Sequence, residues 1–468
     1  FLSNLNLVNA PVESPLAIKK VNSAYGAVNL AYDNFLYLDG SVRNDWSSTL
    51  GEDNRSYMYS SFSLSAILNR FIDPEQNFFN LVKVRASIAE VGNDTDVYQL
   101  GQTYNVPGQG YLGLTTLSNL PVKLNPDLKP ERIDELEIGV EGRFFNNRLS
   151  LDLSIYNKKT NDLIINRPLD PSTGYTSTQT NIGLIENKGV ELDLSFDWIQ
   201  SNDGLNWNTS MNWSTNDAIV VDLGEDTDKI VYAGFGTLGN AAIPGESLGT
   251  IIGSSNTRDS SIENFRWLPG NSIVNNQGSY AVTQDPTIIG DANPDWIANV
   301  SNSISYKNLS FNFLFNYQQG GDIFTYTVAT LLGRGLSADT LDRELSFILP
   351  GVNANGQQNT KQINNSTFYF SNVLYGSDEM LVYDASHWRL GEISLSYSLP
   401  QSLIENTPFG NISFTASGFN LFYNAYNTPP GTNFDPNIAG VGVGNGRGFD
   451  FLNGPSAKRY GGSIKLTF

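Results

Sequence analysis

The stretch Tyr460-Gly-Gly-Ser-Ile-Lys-Leu-Thr-Phe468 decides how the rest of this sequence is interpreted. Side chains alternate between the two faces of an extended chain, so every second residue from Tyr460 to Phe468, including Ile464 and Leu466, shares one apolar face. Polar or small residues such as Lys465 occupy the other face. A strand of this length that ends on an aromatic residue is typical of a tilted strand in an outer-membrane β-barrel. A half-buried strand of a soluble β-sandwich has the same pattern, so the rest of the chain must separate the two.

The same alternation recurs along the whole chain. From Leu136 to Phe144, apolar residues on one face oppose charged residues such as Glu137 and Glu141 on the other. Asn146-Asn147 then supplies a pair suited to the positive φ angles of a tight hairpin. This periodicity is the main signal for strands. The sequence predicts strands near residues 1–8, 24–32, 34–46, 57–70, 79–90, 131–145, 147–157, 183–198, 204–215, 294–306, 308–317, 388–399, 411–423 and 460–468.

The connections between these strands favour a membrane barrel over a sandwich. Short connections such as Asn146-Asn147 and Lys307 alternate with long stretches, among them residues 91–130, 216–293 and 318–387. Outer-membrane barrels have short periplasmic turns and long extracellular loops, whereas a soluble sandwich has no reason to place its long loops at one end. The sequence therefore predicts an all-β fold, a transmembrane antiparallel β-barrel.

Two places depart from this scheme. Within residues 216–293, Ile230–Phe235 and Leu248–Gly253 fit either a hairpin that stands in the loop or two further strands of the wall. In residues 388–399 the apolar register slips after Gly391, which predicts a β-bulge.

Composition is compatible with a barrel and excludes other classes of protein. The chain has 468 residues, no run of eighteen apolar residues, and a negative mean hydropathy, none of which excludes β-strands that cross a membrane. Its 22 Tyr, 26 Phe and 7 Trp can supply aromatic girdles at both membrane interfaces. The absence of cysteine excludes disulfides and thiolate sites. A net charge of −19 argues against nucleic acid as a partner.

Residues suited to catalysis are few. His387 is the only histidine, so a histidine metal cluster or a Ser-His-Asp arrangement with a spare base is excluded, and a structural role is expected. Glu135, Glu137 and Glu141 share one strand face, and two of them could act as paired acid–base carboxylates. The polar lumen face of a barrel explains them better. We expect no enzymatic activity and no cofactor.

A glycine-spaced run at Gly440, Gly442, Gly444, Gly446 and Gly448 superficially suggests a phosphate-binding loop. It lacks the GK[ST] ending and a following helix, so a flexible extracellular loop is expected instead.

An acidic cluster at Asp222, Glu225, Asp226 and Asp228 suggests calcium, but its spacing misses the EF-hand pattern and its turn glycine. We expect no metal site there.

Aromatic residues supply the remaining candidates. Rings in the long loops can stack on a ligand, and the candidate ligand-binding residues are Tyr98, Tyr104, Tyr111, Phe368, Tyr369 and Phe370. Aromatic residues near strand ends are expected to anchor the barrel at the membrane interfaces. These anchors are Trp198, Trp213, Trp296, Trp388 and Phe468.

From Leu124 onward, several stretches resemble the C-terminal barrel of the SusC/RagA family of TonB-dependent outer-membrane transporters. They occur in the family's order and cover about residues 120–468, whereas the first 120 residues fit by strand pattern only. His387-Trp388 departs mildly from the family's usual aromatic-leucine pair. The matching stretches are Asn125-Pro-Asp-Leu-Lys-Pro-Glu-Arg132, Glu186-Asn-Lys-Gly-Val-Glu-Leu192, Ile289-Gly-Asp-Ala-Asn-Pro-Asp-Trp296, Tyr383-Asp-Ala-Ser-His-Trp-Arg-Leu390, Ile393-Ser-Leu-Ser-Tyr-Ser-Leu-Pro400, Phe414-Thr-Ala-Ser-Gly-Phe-Asn-Leu421 and Tyr460–Phe468.

The resemblance implies a barrel of about twenty-two strands with a plugged lumen, of which residues 1–468 would be the C-terminal part, about fourteen strands. The plug, the TonB box and the first strands would then lie in a preceding segment, and residues 1–8 would pair with a strand from it. The chain begins at Phe1 without an initiator Met or a signal-peptide pattern, which fits this expectation.

The resemblance also implies a function. Such a protein would import oligosaccharides or peptides actively across the outer membrane of a Gram-negative bacterium. Its expected partners are a SusD-like surface lipoprotein, TonB acting through the plug, the remaining barrel strands and outer-membrane lipid. The alternatives are a passive diffusion porin of about fourteen strands and a soluble carbohydrate-binding β-protein.

Overall fold

The computed structural model describes residues 16–72, 78–106, 114, 116–202, 204–225, 227–235, 237–258, 272–438 and 446–468. Its main element is one sheet, the wall, whose 13 strands lie in chain order. Each strand pairs antiparallel with the next along the chain. The strands are β1 Val21–Tyr32, β2 Leu36–Ser47, β3 Ser56–Ile67, β4 Phe79–Asn93, β5 Glu131–Phe144, β6 Leu149–Asn161, β7 Leu184–Ile199, β8 Leu205–Asp222, β9 Pro294–Tyr306, β10 Leu309–Gly320, β11 His387–Ser398, β12 Asn411–Asn424 and β13 Arg459–Thr467.

The predicted strands coincide with these 13, from the one predicted at residues 24–32 to the one at 460–468. Most boundaries agree within four residues. The largest difference is at β8, predicted to end at residue 215 and observed to continue to Asp222. The strand predicted at residues 1–8 lies outside the described residues.

The apolar face of the wall points away from any protein core. Leu136, Ile138 and Val140 on β5 are 48%, 55% and 36% exposed. Ile138 lies beside Ala86 of β4 and Ile155 of β6, so the apolar row continues from strand to strand. Polar side chains occupy the opposite face. This arrangement is that of a membrane barrel wall, whose apolar face meets lipid and whose polar face lines the lumen.

The tight turns follow the expected backbone chemistry. Asp33 and Asn34 join β1 to β2 with φ of 52° each, and Asn146 and Asn147 join β5 to β6 with φ of 56° and 62°. Two successive left-handed residues match the twist of an antiparallel hairpin, and Asn and Asp tolerate them best. The predicted hairpin at Asn146-Asn147 is therefore confirmed.

The predicted bulge at Gly391 is also present. The register of β11 shifts against both neighbouring strands between Leu390 and Glu392. The shift keeps Trp388 and Leu390 on the same face as Ile393, which explains the slip in the apolar pattern.

Short and long connections leave opposite ends of the wall, as predicted, but the difference in length is not uniform. The connection 48–55 at the long-loop end is shorter than 68–78 at the short-turn end. The longest connections at the long-loop end are residues 94–130, 223–293, 321–386 and 425–458.

The sequence allowed either a loop hairpin or two wall strands for Ile230–Phe235 and Leu248–Gly253. In the structure both segments belong to the loop. Ile230–Phe235, Leu238–Ala242, Thr250–Gly253 and Thr287–Asp291 form a separate four-stranded antiparallel sheet. Within the described residues, the connection 223–293 adds no strand to the wall.

The remaining elements are short. Among the described residues, no helix combines the length and apolar character that crossing a bilayer requires. The helices are Leu68–Phe71, Pro171–Thr173, Tyr326–Gly333, Ala338–Thr340, Asn365–Phe368, Tyr369–Leu374, Asp378–Leu381, Gln401–Ile404, Pro430–Thr432 and Pro436–Ile438. The other strands are Tyr104–Asn105, Ser118–Asn119, Val122–Lys123, Ile164–Pro168, Ser177–Asn181, Asp322–Thr325, Ser346–Ile348, Gln362–Asn364, Val382–Asp384 and Phe449–Asp450.

The predicted interface aromatics lie toward both ends of the wall. At the long-loop end, Trp296 stacks on Tyr317 at 4.9 Å and Trp388 packs on Phe422 at 4.9 Å. Trp213 is in the same outward row, beside Ala298.

At the short-turn end, Trp198 packs on Phe196 at 4.6 Å and Phe468 packs on Phe409 at 5.0 Å. Rings clustered at two levels suit the two membrane interfaces. The anchoring role of these residues stays a prediction.

Candidate ligand-binding site

Three long connections pack together and form what we call the loop module: residues 223–258 with 272–293, residues 321–386, and residues 425–438 with 446–458. All three contribute to one hydrophobic core. This makes the module a rigid scaffold, the usual support for a binding site carried on loops. The buried residues of that core are Ile251, Ile289, Ile323, Phe324, Val328, Ala329, Leu332, Val373, Leu374, Leu381, Val382, Ala385, Phe434 and Phe449.

A buried carboxylate joins the second and third segments of the loop module. Thr325 is the N-cap of the helix Tyr326–Gly333 and accepts from the backbone N–H of Val328 at 3.2 Å. Asp450 Oδ2 accepts from Thr325 Oγ1 at 2.8 Å and from the Thr327 N–H at 3.1 Å. A carboxylate is stabilised at a helix N-terminus because the first N–H groups lack partners within the helix. The third loop therefore caps the helix of the second.

The loop module contains a cavity of about 380 Å³, which we call the loop cavity. Each of the three segments contributes to it, and its lining is part aromatic, part aliphatic and part charged. Its volume and composition are those of a small-molecule site. The lining residues are Asn256, Arg258, Leu332, Asp339, Phe368, Tyr369, Val373, Glu379, Met380, Val382, Tyr383 and Pro429.

Two of the predicted ligand-binding aromatics line this cavity, and local structure explains which two. Asn364 caps the short helix Asn365–Phe368 by accepting from the Thr367 N–H at 2.8 Å. The chain then continues as the π-helix Tyr369–Leu374. Phe368 and Tyr369 meet edge to face at 5.2 Å in the cavity wall.

Phe370, the third aromatic of this run, does not line the loop cavity. It is 43% exposed, packs on Tyr375 at 4.9 Å, and lies 5.8 Å from the guanidinium carbon of Arg334. The helical turn places its ring on the outer side of the loop module.

The described lining of the loop cavity contains one ion pair and one further carboxylate. Glu379, 8% exposed, pairs through Oε1 with Arg258 and accepts through Oε2 from the Asn256 N–H at 3.0 Å. Asp339 Oδ2 accepts from Ser337 Oγ at 2.7 Å. The described lining therefore carries one positive and two negative side chains.

Two tyrosines keep their hydroxyl groups neutral in this cavity. Burial raises the pKa of Tyr383 well above its usual range, and the nearby Tyr369 and Asp339 raise it further. Burial and Asp339 also raise the pKa of Tyr369. Both hydroxyls thus remain donors as well as acceptors at neutral pH.

The other predicted ligand-binding aromatics lie elsewhere. Tyr98 is 66% exposed, and its hydroxyl donates to the Leu16 carbonyl at 3.4 Å. Tyr104 is 62% exposed. Neither lines the loop cavity, and Tyr111 lies outside the described residues.

The lumen face of the wall is a network of ion pairs. Arg85 on β4 donates to both carboxylate oxygens of Asp152 on β6, at 2.7 and 3.1 Å, and to Ser154 Oγ at 2.6 Å. It crosses β5 at Gly139, where an added Cβ would lie 2.5 Å from the guanidinium. Glycine at this position is what allows one side chain to join three strands.

The glutamates considered as an acid–base pair belong to this lumen face. Glu137 accepts from Arg85 at 3.3 Å, Glu141 lies 3.8 Å from Lys83, and Glu135 occupies the same face of β5. Glu137 and Glu141 are therefore wall residues in ion pairs with the neighbouring strand β4.

His387 lies in a second, more polar cavity of about 400 Å³ between the wall and the third loop. The residue is 4% exposed, and Nδ1 is 2.8 Å from the Ala385 carbonyl oxygen. Arg389, two residues further, forms a buried ion pair with Asp435 at 2.5 Å. This pair fastens the third loop to the lumen face. Carboxamides line much of the cavity, namely Asn299, Asn316, Gln318, Asn420 and Asn437.

The described part of the chain holds no cluster of three or more His, Cys, Asp or Glu side chains suited to a metal ion. In the acidic cluster considered for calcium, Asp226 lies outside the described residues.

In the glycine run, Gly440, Gly442 and Gly444 lie outside the described residues. Gly448, at the end of the run, packs against the second loop: its carbonyl accepts from the Phe324 N–H at 2.8 Å, and its φ is 74°. A Cβ there would lie 2.7 Å from Ala292, so this glycine permits close packing.

Sequence reasoning missed the charged part of the loop cavity. Arg258 and Glu379 are 121 residues apart, so no local sequence pattern pairs them. No local pattern marks Asp339 or Tyr383 as neighbours of Tyr369. Only the tertiary structure brings these residues together.

Comparison with known proteins identifies the family of this chain. The family described as "TonB dependent receptor-like, beta-barrel" matches residues 3–251. TonB-dependent receptor P26 from Formosa agariphila is 27% identical over 499 aligned residues, covering 100% of this chain and 48% of that protein. TonB-dependent receptor SusC from Bacteroides thetaiotaomicron is 23% identical over 394 aligned residues, covering 80% of this chain and 37% of that protein. The chain spans about half the length of the curated relatives it matches.

Solved structures agree on the fold. The RagAB peptide transporter matches with a TM-score of 0.72 at 22% identity, over 96% of this chain and 48% of the matched chain. The family match covers more than half of the sequence and includes wall strands β1 to β8. This chain therefore belongs to the TonB dependent receptor-like β-barrel family, whose members lie in the outer membrane of Gram-negative bacteria.

Proposed function

We propose that this chain forms the C-terminal wall and the extracellular vestibule of a SusC-like importer that takes up oligosaccharides or peptides with energy delivered through TonB. The resemblance to SusC and to the RagAB peptide transporter supports the proposal. A preceding segment would supply the plug, the TonB box and the remaining strands, in line with the length of the relatives.

The observation that carries this proposal is the open wall. In the described residues β1 and β13 do not pair with one another, and all residues of both strands are exposed. Unpaired backbone N–H and C=O groups are very costly in lipid, so we expect further strands to complete the sheet. A total of about twenty-two strands, as the resemblance implies, would place the barrel in the size class that encloses a plug.

The loop module gives the proposed importer its substrate-facing surface. Its hydrophobic core lies at the long-loop end of the wall, which would be the extracellular end. The polar lumen face continues below it. A ligand that enters from outside would meet the module first and the ion-paired lumen face next. A SusD-like lipoprotein would close over the same end.

The test combines composition with energy dependence. A mass-spectrometric peptide map of the native outer-membrane complex is expected to contain plug peptides continuous with Phe1 and a co-purifying lipoprotein. Uptake of a fluorescent oligosaccharide or peptide should stop when a protonophore collapses the proton-motive force. A native polypeptide that begins at Phe1, travels alone and gives steady conductance in planar bilayers would instead identify a porin.

A further inference from the structure

The loop cavity has the form of a built binding site. Its floor is part of the module core, where Leu332, Val373 and Val382 are 3%, 4% and 2% exposed. A cavity of about 380 Å³ with an apolar floor and a few convergent polar groups fits a small ligand or one end of a longer one. The lining comes from three loops that share one core, so its shape does not depend on an isolated flexible loop.

The aromatic side of the cavity suits the apolar faces of a sugar ring. Phe368 is fixed by edge-to-face contacts with Phe347 at 5.7 Å and with Tyr369 at 5.2 Å. Such contacts position both rings without covering both faces of each ring. Tyr369 also begins a π-helix, an element frequent at functional sites.

The polar side suits hydroxyl groups. Tyr369 and Tyr383 supply neutral hydroxyls that both donate and accept, and Asp339 supplies an acceptor. Each hydroxyl of a sugar can satisfy either role.

The charge of the cavity selects against acids. Arg258 is the one cation of the described lining, and Glu379 already neutralises it. An anionic ligand would meet the exposed carboxylate of Asp339 with no unpaired cation among the described lining residues, and like charges repel.

From these contacts we infer that the loop cavity binds one end of a neutral oligosaccharide and rejects acidic saccharides. The inference deepens the proposed importer function and rests on it. The C-terminal end of a peptide is less well matched, because the carboxylate of Asp339 would repel its terminal carboxylate.

The experiment uses the complete native protein, purified in detergent, and isothermal titration calorimetry. The probes are neutral tetrasaccharides built from glucose, mannose, galactose or xylose, with tetragalacturonate as the acidic probe and tetra-alanine as the peptide probe. At least one neutral tetrasaccharide should bind more tightly than the acidic and peptide probes.

Variants assign that binding to the cavity. Tyr369→Ala should weaken the neutral ligand by about tenfold or more, a loss of about 1.4 kcal/mol. Phe370→Ala is the matched control, since the neighbouring ring points away from the cavity and binding should stay within about twofold. Asp339→Asn should narrow the preference for neutral over acidic saccharide by about threefold or more, by removing the repelling charge.

Three outcomes would overturn the inference: no neutral tetrasaccharide binds at millimolar concentration, tetragalacturonate or tetra-alanine binds more tightly than every neutral probe, or Tyr369→Ala and Phe370→Ala weaken binding equally. Tyr369→Phe keeps the ring and controls for a loss of binding that is caused by misfolding of Tyr369→Ala. Its binding should exceed that of Tyr369→Ala. If binding fails while uptake remains sensitive to the protonophore, the importer proposal stands and only this inference falls.

Discussion

Apolar side chains are exposed on the outward face of the wall but buried in the loop module. In the wall, Ile138 is 55% exposed on the outward face, and charged groups such as Arg85 lie on the inward face. In the module, Phe324 is 2% exposed and Phe449 is fully buried. The apolar face of the wall is covered by lipid. The module lies in water and buries its apolar side chains against one another.

This difference separates two sources of stability in one chain. A lost side chain on the outward face of the wall leaves a space that lipid tails can fill. A lost side chain in the module leaves a cavity that its rigid neighbours fill only partly. The same substitution should therefore have different effects in the two regions.

The largest effect is expected for Phe324→Ala in the module. The ring lies 6.0 Å from Phe449 and 5.7 Å from Phe451. Its removal should lower the free energy of unfolding of the module by about 3–5 kcal/mol. Limited proteolysis of the detergent-purified protein should detect faster cleavage within residues 321–386.

Phe313→Ala on the outward face of β10 is the matched control for that substitution. Its ring contacts Phe311 at 5.5 Å and Phe315 at 5.8 Å, on the side that faces lipid. In a bilayer this variant should lose much less stability than Phe324→Ala. Equal losses would mean that the wall and the module do not differ as described.

A second comparison uses charge on the two faces of β7. Leu192 lies between Leu153 and Trp213 on the outward face, and Glu191 lies between Ser154 and Ser214 on the lumen face. Leu192→Arg should cost about 2–4 kcal/mol near the bilayer midplane, and Glu191→Arg much less. Urea unfolding in lipid vesicles measures both. Equal tolerance at the two positions would contradict the assignment of the faces.

Gly139→Ala tests the crossing of Arg85 over β5. The added Cβ would lie 2.5 Å from the guanidinium, so Arg85 must move and loosen its contacts with Asp152. We expect a loss of about 1 kcal/mol, at the lower end of overpacking because the displaced group is the end of a flexible side chain.

The control for the Arg85 crossing is Gly40→Ala in β2, where an added Cβ meets nothing within 4 Å. Its effect should stay within about 0.5 kcal/mol. In an Arg85→Ala background the cost of Gly139→Ala should fall, as expected for coupled positions. An unchanged cost in that double variant would mean that the glycine does not serve the crossing.

The wall was predictable because its signal is local. Two-residue alternation fixes which face each side chain takes, and turn residues such as Asn146-Asn147 fix where strands reverse. The bulge at Gly391 was visible for the same reason, as a one-residue slip in the pattern.

The loop module was not predictable because its contacts are distant in sequence. The N–H of Arg447 donates to Asn240 over a separation of 207 residues, and Arg258 pairs with Glu379 over 121. The run from Phe368 to Phe370 was identified as aromatic loop sequence. Only the π-helix that begins at Tyr369 decides which rings enter the cavity.

The smallest expected effect is a dependence on pH where Lys19, just before β1, meets Asp94, just after β4. Burial acts to raise the pKa of Asp94, but hydrogen bonds from Lys19 and Ser47 outweigh it and hold the pKa below the usual value of 3.8. A lowered pKa in the folded state stabilises the fold above pH 3.8, and this contribution disappears as the pH falls through the folded-state pKa. We expect about 0.5 kcal/mol, because Lys19 is 44% exposed and water screens the pair. Urea titrations of the wild type and Asp94→Asn should differ at neutral pH and converge in acid. Lys19→Ala should reproduce part of the loss, and a difference that persists in acid would assign the effect of Asp94→Asn to packing.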